Sequence, residues 1–148
     1  MTFPTARHLV DRAEWDHWHA HTDATGPEPE SVLTPLSPIV EFFDTHPPTP
    51  DLHTVPTPGH TPGHTSVLIT DPASETRLLI LGDALHPTAQ ITEPHWHFRS
   101  DTDPALAAIH RLDLLAHGRD GRTIIAGGHF SDHVFGRLDT DGRWTAER

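Results

Sequence analysis

The chain has 148 residues, of which 10 are basic and 21 acidic, giving −11 with its 15 histidines neutral. That balance disfavours nucleic acid or an anionic membrane surface as a partner. Cysteine is absent and every basic residue is an arginine, which excludes disulfides, a thiol nucleophile, thiolate ligands and lysine Schiff-base chemistry.

The length suits one domain, residues 1–148, with a modest core. No apolar run approaches the roughly 20 residues of a spanning helix, and no signal-peptide pattern opens the chain, so a soluble cytoplasmic protein is expected.

In chain order, Ala6 to Val10 reads as a strand and Asp11 to Trp18 as a short helix with Asp11 as its N-cap. Thr22 to Glu30, with Gly26, Pro27 and Pro29, is a loop. Ser31 to Phe43 has a helical spacing that Pro35 and Pro38 distort or split, and Thr45 to Pro50 is a connector.

Leu52 to Val55 is a short strand. Ser66 to Ile69 and Arg77 to Leu81 form a strand pair about Asp71-Pro72-Ala73-Ser74. Asp103 to His117 is the clearest helix: Asp103 caps it, Pro104 suits its first turn, and Leu106, Ile109, Leu112 and Leu115 recur at three-residue steps. Thr123 to Ala126 reads as a buried strand, and Val134 to Leu138 forms a final hairpin with Gly142-Arg143-Trp144. The order predicts an α+β fold with a mainly antiparallel sheet.

Three apolar segments carry a potential ligand beside one end. The Gly/Pro-stiffened turn from Thr57 to Thr65 holds His60 and His64 and leads into Val67-Leu68-Ile69; Asp83 closes Leu78 to Gly82; His129 closes Thr123 to Gly128. Loops at strand ends let such groups converge, and two imidazoles with a carboxylate suit zinc or a similar divalent ion. Pro62 and Gly63 make a helix pairing His60 with His64 unfavourable, so one metal is not expected to take both.

Gly59 to His64, Leu81-Gly82-Asp83 and Gly128-His129 together resemble three successive signatures of the metallo-β-lactamase superfamily. Phe3-Pro4-Thr5-Ala6, Arg12-Ala13-Glu14-Trp15 and Gly82 to Trp96 are similar to its lactonase-like and organophosphate-hydrolase-like branches. The resemblance implies the later part of an αββα sandwich. It implies His64 on one metal, Asp83 bridging two metals and His129 on the other, with zinc as cofactor and a small-molecule ester, lactone or phosphoester as substrate. The family's His-x-His-x-Asp-His signature, which normally precedes the Phe-Pro segment, is not met before Phe3-Pro4, so an incomplete domain is expected. The alternative is a non-catalytic binding or interaction module retaining the fold.

His19-Ala20-His21-Thr22-Asp23-Ala24 matches the first five positions of that signature but follows a charged, aromatic helix; it reads as a solvated polar segment. His60 reads as a turn residue or one that orients a ligand. His86, His95, Trp96 and His97 line a substrate pocket or form an exposed loop. No Gly-x-Ser-x-Gly elbow or phosphate-binding glycine loop is present.

Overall fold

The computed structural model describes residues 3, 5–21, 26–43 and 49–147, and the chain forms two compact units, Met1–Pro48 and Thr49–Arg148. In the first unit, strand β1 (His8–Val10) leads into helix α1 (Arg12–Ala20). A π-helical turn (Pro29–Leu33), the short helix α2 (Thr34–Leu36) and strand β2 (Val40–Phe42) follow.

Asp11 caps α1 as expected, its carboxylate accepting from the Ala13 N–H at 2.7 Å. The helical reading of 31–43 holds only to Leu36. Pro38 has no N–H to continue the helix, and Val40-Glu41-Phe42 instead pairs in parallel with β1. Arg7 fastens this pair by donating from Nε and Nη2 to Glu41 Oε2 at 3.0 and 2.9 Å. Thr22, Asp23 and Ala24, and most of the connector at Thr45 to Pro50, lie outside the described residues.

The second unit is built on six strands: β3 (Leu52–Pro56), β4 (Thr65–Thr70), β5 (Arg77–Ile80), β6 (Thr123–Ala126), β7 (Phe135–Leu138) and β8 (Trp144–Ala146). They lie side by side in chain order, and every neighbouring pair is antiparallel except β5 and β6. A parallel pair needs a crossover. Here it contains a 3₁₀ turn (Gly82–Ala84), the short helix α3 (Ala89–Thr92) and the long helix α4 (Pro104–Gly118).

Asp103 caps α4, accepting from the Leu106 N–H at 3.0 Å. The buried stripe of α4 is Ala107, Arg111, Leu114, Leu115 and Gly118, an i, i+4, i+7, i+8, i+11 pattern. Ile109 and Leu112 stay 55% and 40% exposed, because three-residue steps drift around a helix of 3.6 residues per turn.

Leu114 and Leu115 pack on Leu79, Ile125 and Leu138 of the sheet, with Leu81, Leu85 and Phe130 from adjoining loops. Register fixes this face: Leu68 lies opposite Leu79, Leu79 opposite Ile125, and Ile125 opposite Gly136. A one-residue slip would turn the whole apolar set away from the helix.

Candidate metal centre

Topology alone brings the three motifs together. Strand β4 starts where its antiparallel neighbour β5 ends, and β6, parallel to β5, ends beside it. The turn entering β4, the turn after β5 that carries Asp83, and the loop after β6 therefore share one end of the sheet.

Asp83 is the centre of the group. Its Oδ2 lies 3.5 Å from His60 Nε2 and its Oδ1 lies 2.8 Å from His129 Nε2, so each carboxylate oxygen faces a different imidazole. Candidate ligand atoms of His60, Asp83 and His86 lie within 4.8 Å of one another. His129 joins this group through Asp83, and its ring stacks on that of His86 with centroids 4.7 Å apart.

His86 is 6% exposed and its Nδ1 is buried with no hydrogen-bond partner. Phe98 stacks on the other side of the ring, 3.7 Å between centroids. Burial first, and then the charge of nearby His60, pushes the His86 pKa down to about 4. The imidazole is therefore neutral at pH 7 and keeps a lone pair.

The two histidines of the turn have different surroundings. His64 has both ring nitrogens engaged: Nε2 accepts from the backbone N–H of Asp83 at 2.8 Å, and Nδ1 lies 2.8 Å from Thr57 Oγ1. Because a backbone N–H can only donate, neutral His64 carries its proton on Nδ1. The chain then runs from His64 Nδ1–H to Thr57 Oγ1, from Thr57 to Ser66 Oγ at 3.1 Å, and from Ser66 to the Leu81 carbonyl at 2.9 Å. Its two ends hold the Leu81-Gly82-Asp83 turn, at the Asp83 N–H and at the Leu81 carbonyl.

Glycine is required at that turn. Gly82 has φ +59°, and a Cβ there would sit 2.6 Å from His64 Nε2. His64 thus positions the backbone that presents Asp83, while His60, four residues earlier, faces the Asp83 carboxylate.

His60 is held from behind. Its Nδ1 lies 3.1 Å from Asp101 Oδ1, and Asp101 Oδ2 accepts from the Phe98 N–H at 2.8 Å. Two backbone bonds tie the same loops together: Thr102 N–H to the His60 carbonyl at 3.0 Å and Asp103 N–H to the Gly59 carbonyl at 2.8 Å. The turn is therefore tied to the entry of α4 as well as to β4.

Among the expected site residues, the structure brings Asp83 and His129 into contact. Its candidate metal group contains His60, which the sequence reads as a turn residue or one that orients a ligand, and His86, which it reads as part of a substrate pocket or an exposed loop. His95 and His97 flank an exposed surface with Pro104, Ile109 and Leu112. His19 and His21 place Nδ1 2.9 and 2.8 Å from the Trp15 and His17 carbonyls of α1; Asp23 lies outside the described residues. The one sequence signal for His86 was its place three residues after Asp83.

The donor chemistry fits zinc: neutral imidazole nitrogens and a carboxylate that faces two of them, with a buried imidazole nitrogen left unpartnered by protein.

No family model and no curated protein matches the chain. Among solved structures the likeness is to metallo-β-lactamase-superfamily hydrolases, and the chain carries part of that fold, as an α+β unit with a mostly antiparallel six-stranded sheet. AidC, a dizinc quorum-quenching lactonase in complex with a product, is 22% identical with a TM-score of 0.82, over 100% of this chain and 57% of that one. The hydrolase AbOPH of the beta lactamase superfamily is 22% identical with a TM-score of 0.79, over 99% of this chain and 56% of that one. An N-acyl homoserine lactone hydrolase, with N-hexanoyl-L-homoserine bound at its catalytic metal centre, is 25% identical with a TM-score of 0.65, over 82% of this chain and 46% of that one. The chain therefore spans a little over half the length of the first two relatives. No helix among the described residues is long and apolar enough to cross a membrane.

Proposed function

We propose that this chain is the metal-binding part of a metallo-β-lactamase-fold hydrolase acting on a small-molecule ester, lactone or phosphoester, with zinc as its metal. His60, Asp83, His86 and His129 would hold the metal. Asp83 and His129 would keep the metal-binding parts that the sequence resemblance implies, while His60 would take the part implied there for His64. The observation that carries this reading is that the two Asp83 oxygens face His60 and His129 separately, beside the unpartnered Nδ1 of His86.

Bound zinc would supply Lewis acidity and a water of lowered pKa. The chain's own residues account for the rest of the reading. Asp83 is presented by a turn that His64 and Gly82 hold in place. His60 and His129, 14% and 52% exposed at their side chains, grade from a protected to an open side. Phe98 and His86 form a stacked wall beside the group.

Zinc loading followed by desalting and elemental analysis tests the site. Zinc should be retained by the native chain and lost in His60→Ala and Asp83→Ala; equal retention in all three sinks the assignment. Hydrolysis of N-hexanoyl homoserine lactone, an aryl ester and a phosphotriester, with and without zinc, tests the chemistry. Retention of zinc with no zinc-dependent turnover of any of them would favour the non-catalytic binding module.

A further inference from the structure

One face of the six-stranded sheet stays open among the described residues. Strand side chains alternate between faces, so where Leu68, Leu79 and Ile125 turn to α4, their neighbours turn away. Two cross-strand rows make up the far face. One is Leu52, Ile69, Leu78 and Ile124; the other runs from Thr54 through Val67, Ile80 and Ala126 to Phe135. Ile69, Ile80 and Phe135 remain 36%, 37% and 50% exposed.

Neither row holds a charged side chain. Among the strand residues of this face only Arg137 is charged, and its Nε donates to Glu147 Oε1 beside β8. A chain with 21 acidic and 10 basic residues thus keeps a charge-free area across five of its strands. Continuous apolar surface of this kind marks an interaction site.

We propose that this face is the contact between two copies of the chain, packed sheet to sheet about a two-fold axis, with an α4 on each outer side. The proposal goes beyond the metal reading and does not depend on it. Rows without charge complement themselves: a two-fold operation brings uncharged residues over uncharged residues, and no unpaired ion is buried. Each copy has one such face and the operation closes, so assembly stops at two. Facing sheets align within about 30°, and the resulting helix–sheet–sheet–helix stack has the layer order of the αββα sandwich, built here from two identical halves.

The area sets the strength. Six strands about 4.8 Å apart, with about four to five residues each at about 3.3 Å, give roughly 400–450 Å² per copy. Two copies bury about 900 Å² in all, which belongs to weak, reversible interfaces, with a dissociation constant on the order of 10–100 µM. In dilute solution the face is therefore open to solvent and to dyes.

Sedimentation velocity on the native chain from about 1 to about 300 µM tests the proposal. The mean coefficient should climb from monomer toward dimer with no larger species. Raising NaCl from about 0.05 to about 0.5 M should tighten association at least about threefold, because salt screens the repulsion between two acidic copies and spares apolar contact. Phe135→Asp and Ile80→Asp place a carboxylate in the interface and should weaken association at least about tenfold. Ile109→Asp, at an exposed position of α4, should leave it unchanged. Should Ile80→Asp not fold, Phe135→Asp, at the more exposed position, keeps the test, and dye fluorescence needs no variant: the anilinonaphthalene sulfonate signal per native chain should fall as chain concentration rises. A native chain that stays monomeric throughout overturns the proposal and leaves the face to a different polypeptide. Growth beyond the dimer overturns it too, as does a dimer unaffected by Phe135→Asp or lost equally in Ile109→Asp.

Discussion

The two faces of the six-stranded sheet are treated differently although their sequences are almost equally apolar. On one face Leu79, Ile125 and Leu138 are 3%, 2% and 1% exposed under α4. On the other, Ile69, Ile80 and Phe135 remain 36%, 37% and 50% exposed. Neighbouring residues on β5, Leu79 and Ile80, therefore contribute very differently. Continuous apolar runs such as Leu78 to Leu81 are the pattern of strands covered on both sides, and among the described residues only one cover is seen on this unit. What the contrast teaches is that apolar composition sets how much surface wants burial, while the partner decides whether it is buried.

The strongest test of that contrast is truncation on the covered face. Leu79→Ala should destabilise the second unit by about 2–5 kcal/mol in urea unfolding, from lost transfer energy and a cavity. Ile80→Ala, one residue away, should lower stability by about 1 kcal/mol or less, because its side chain already meets solvent. Equal losses for the two would break the comparison.

The same contrast recurs inside the Gly59 to His64 turn, at smaller scale. His64→Ala removes the acceptor of the Asp83 N–H and one end of the Thr57–Ser66 chain, so about 1–3 kcal/mol of stability should be lost even without metal. His60→Ala should change metal-free stability less and zinc retention more. Paired denaturation curves and zinc analyses on the two variants check the division. A larger metal-free loss in His60→Ala would reverse the assigned roles.

The smallest expected effect concerns the open face. An exposed apolar patch binds hydrophobic dyes, so the chain should enhance anilinonaphthalene sulfonate fluorescence while folded. Ile80→Thr with Phe135→Ser should reduce that signal with little change in unfolding midpoint. Undiminished dye binding would place the exposed apolar surface elsewhere.

Much of the fold was readable from local pattern. Asp103-Pro104 at the start of α4, the turn at Asp71 to Ser74, and the runs that became β4, β5 and β6 are short-range signals, and each element formed within a residue or two of its expected bounds. The stretch 31–43 was misread beyond Leu36 because its helical spacing competes with β-branched and aromatic residues at Val40 and Phe42, and pairing with β1 settled the matter. At the site, the motifs marked the turn, Asp83 and His129, since glycines and prolines punctuate strand ends in any sequence.

Composition and motif set the chemistry available: nitrogen and oxygen ligands without thiolates, a long apolar helix, and three strand ends bearing histidine or aspartate. Which histidine of the turn faces the carboxylate was decided only by the tertiary structure, because both have the same local surroundings in the chain. His60 faces inward since Asp101, 41 residues away, holds its Nδ1, and His64 turns to the backbone of Asp83, 19 residues away. Arg111 shows the same dependence: one charged residue on an apolar helical stripe is a mark in the sequence, but its partners come from separate loops that meet only when α4 packs across the sheet. Hydrogen bonds between distant segments have no period and no motif, so folding alone brings their partners within reach.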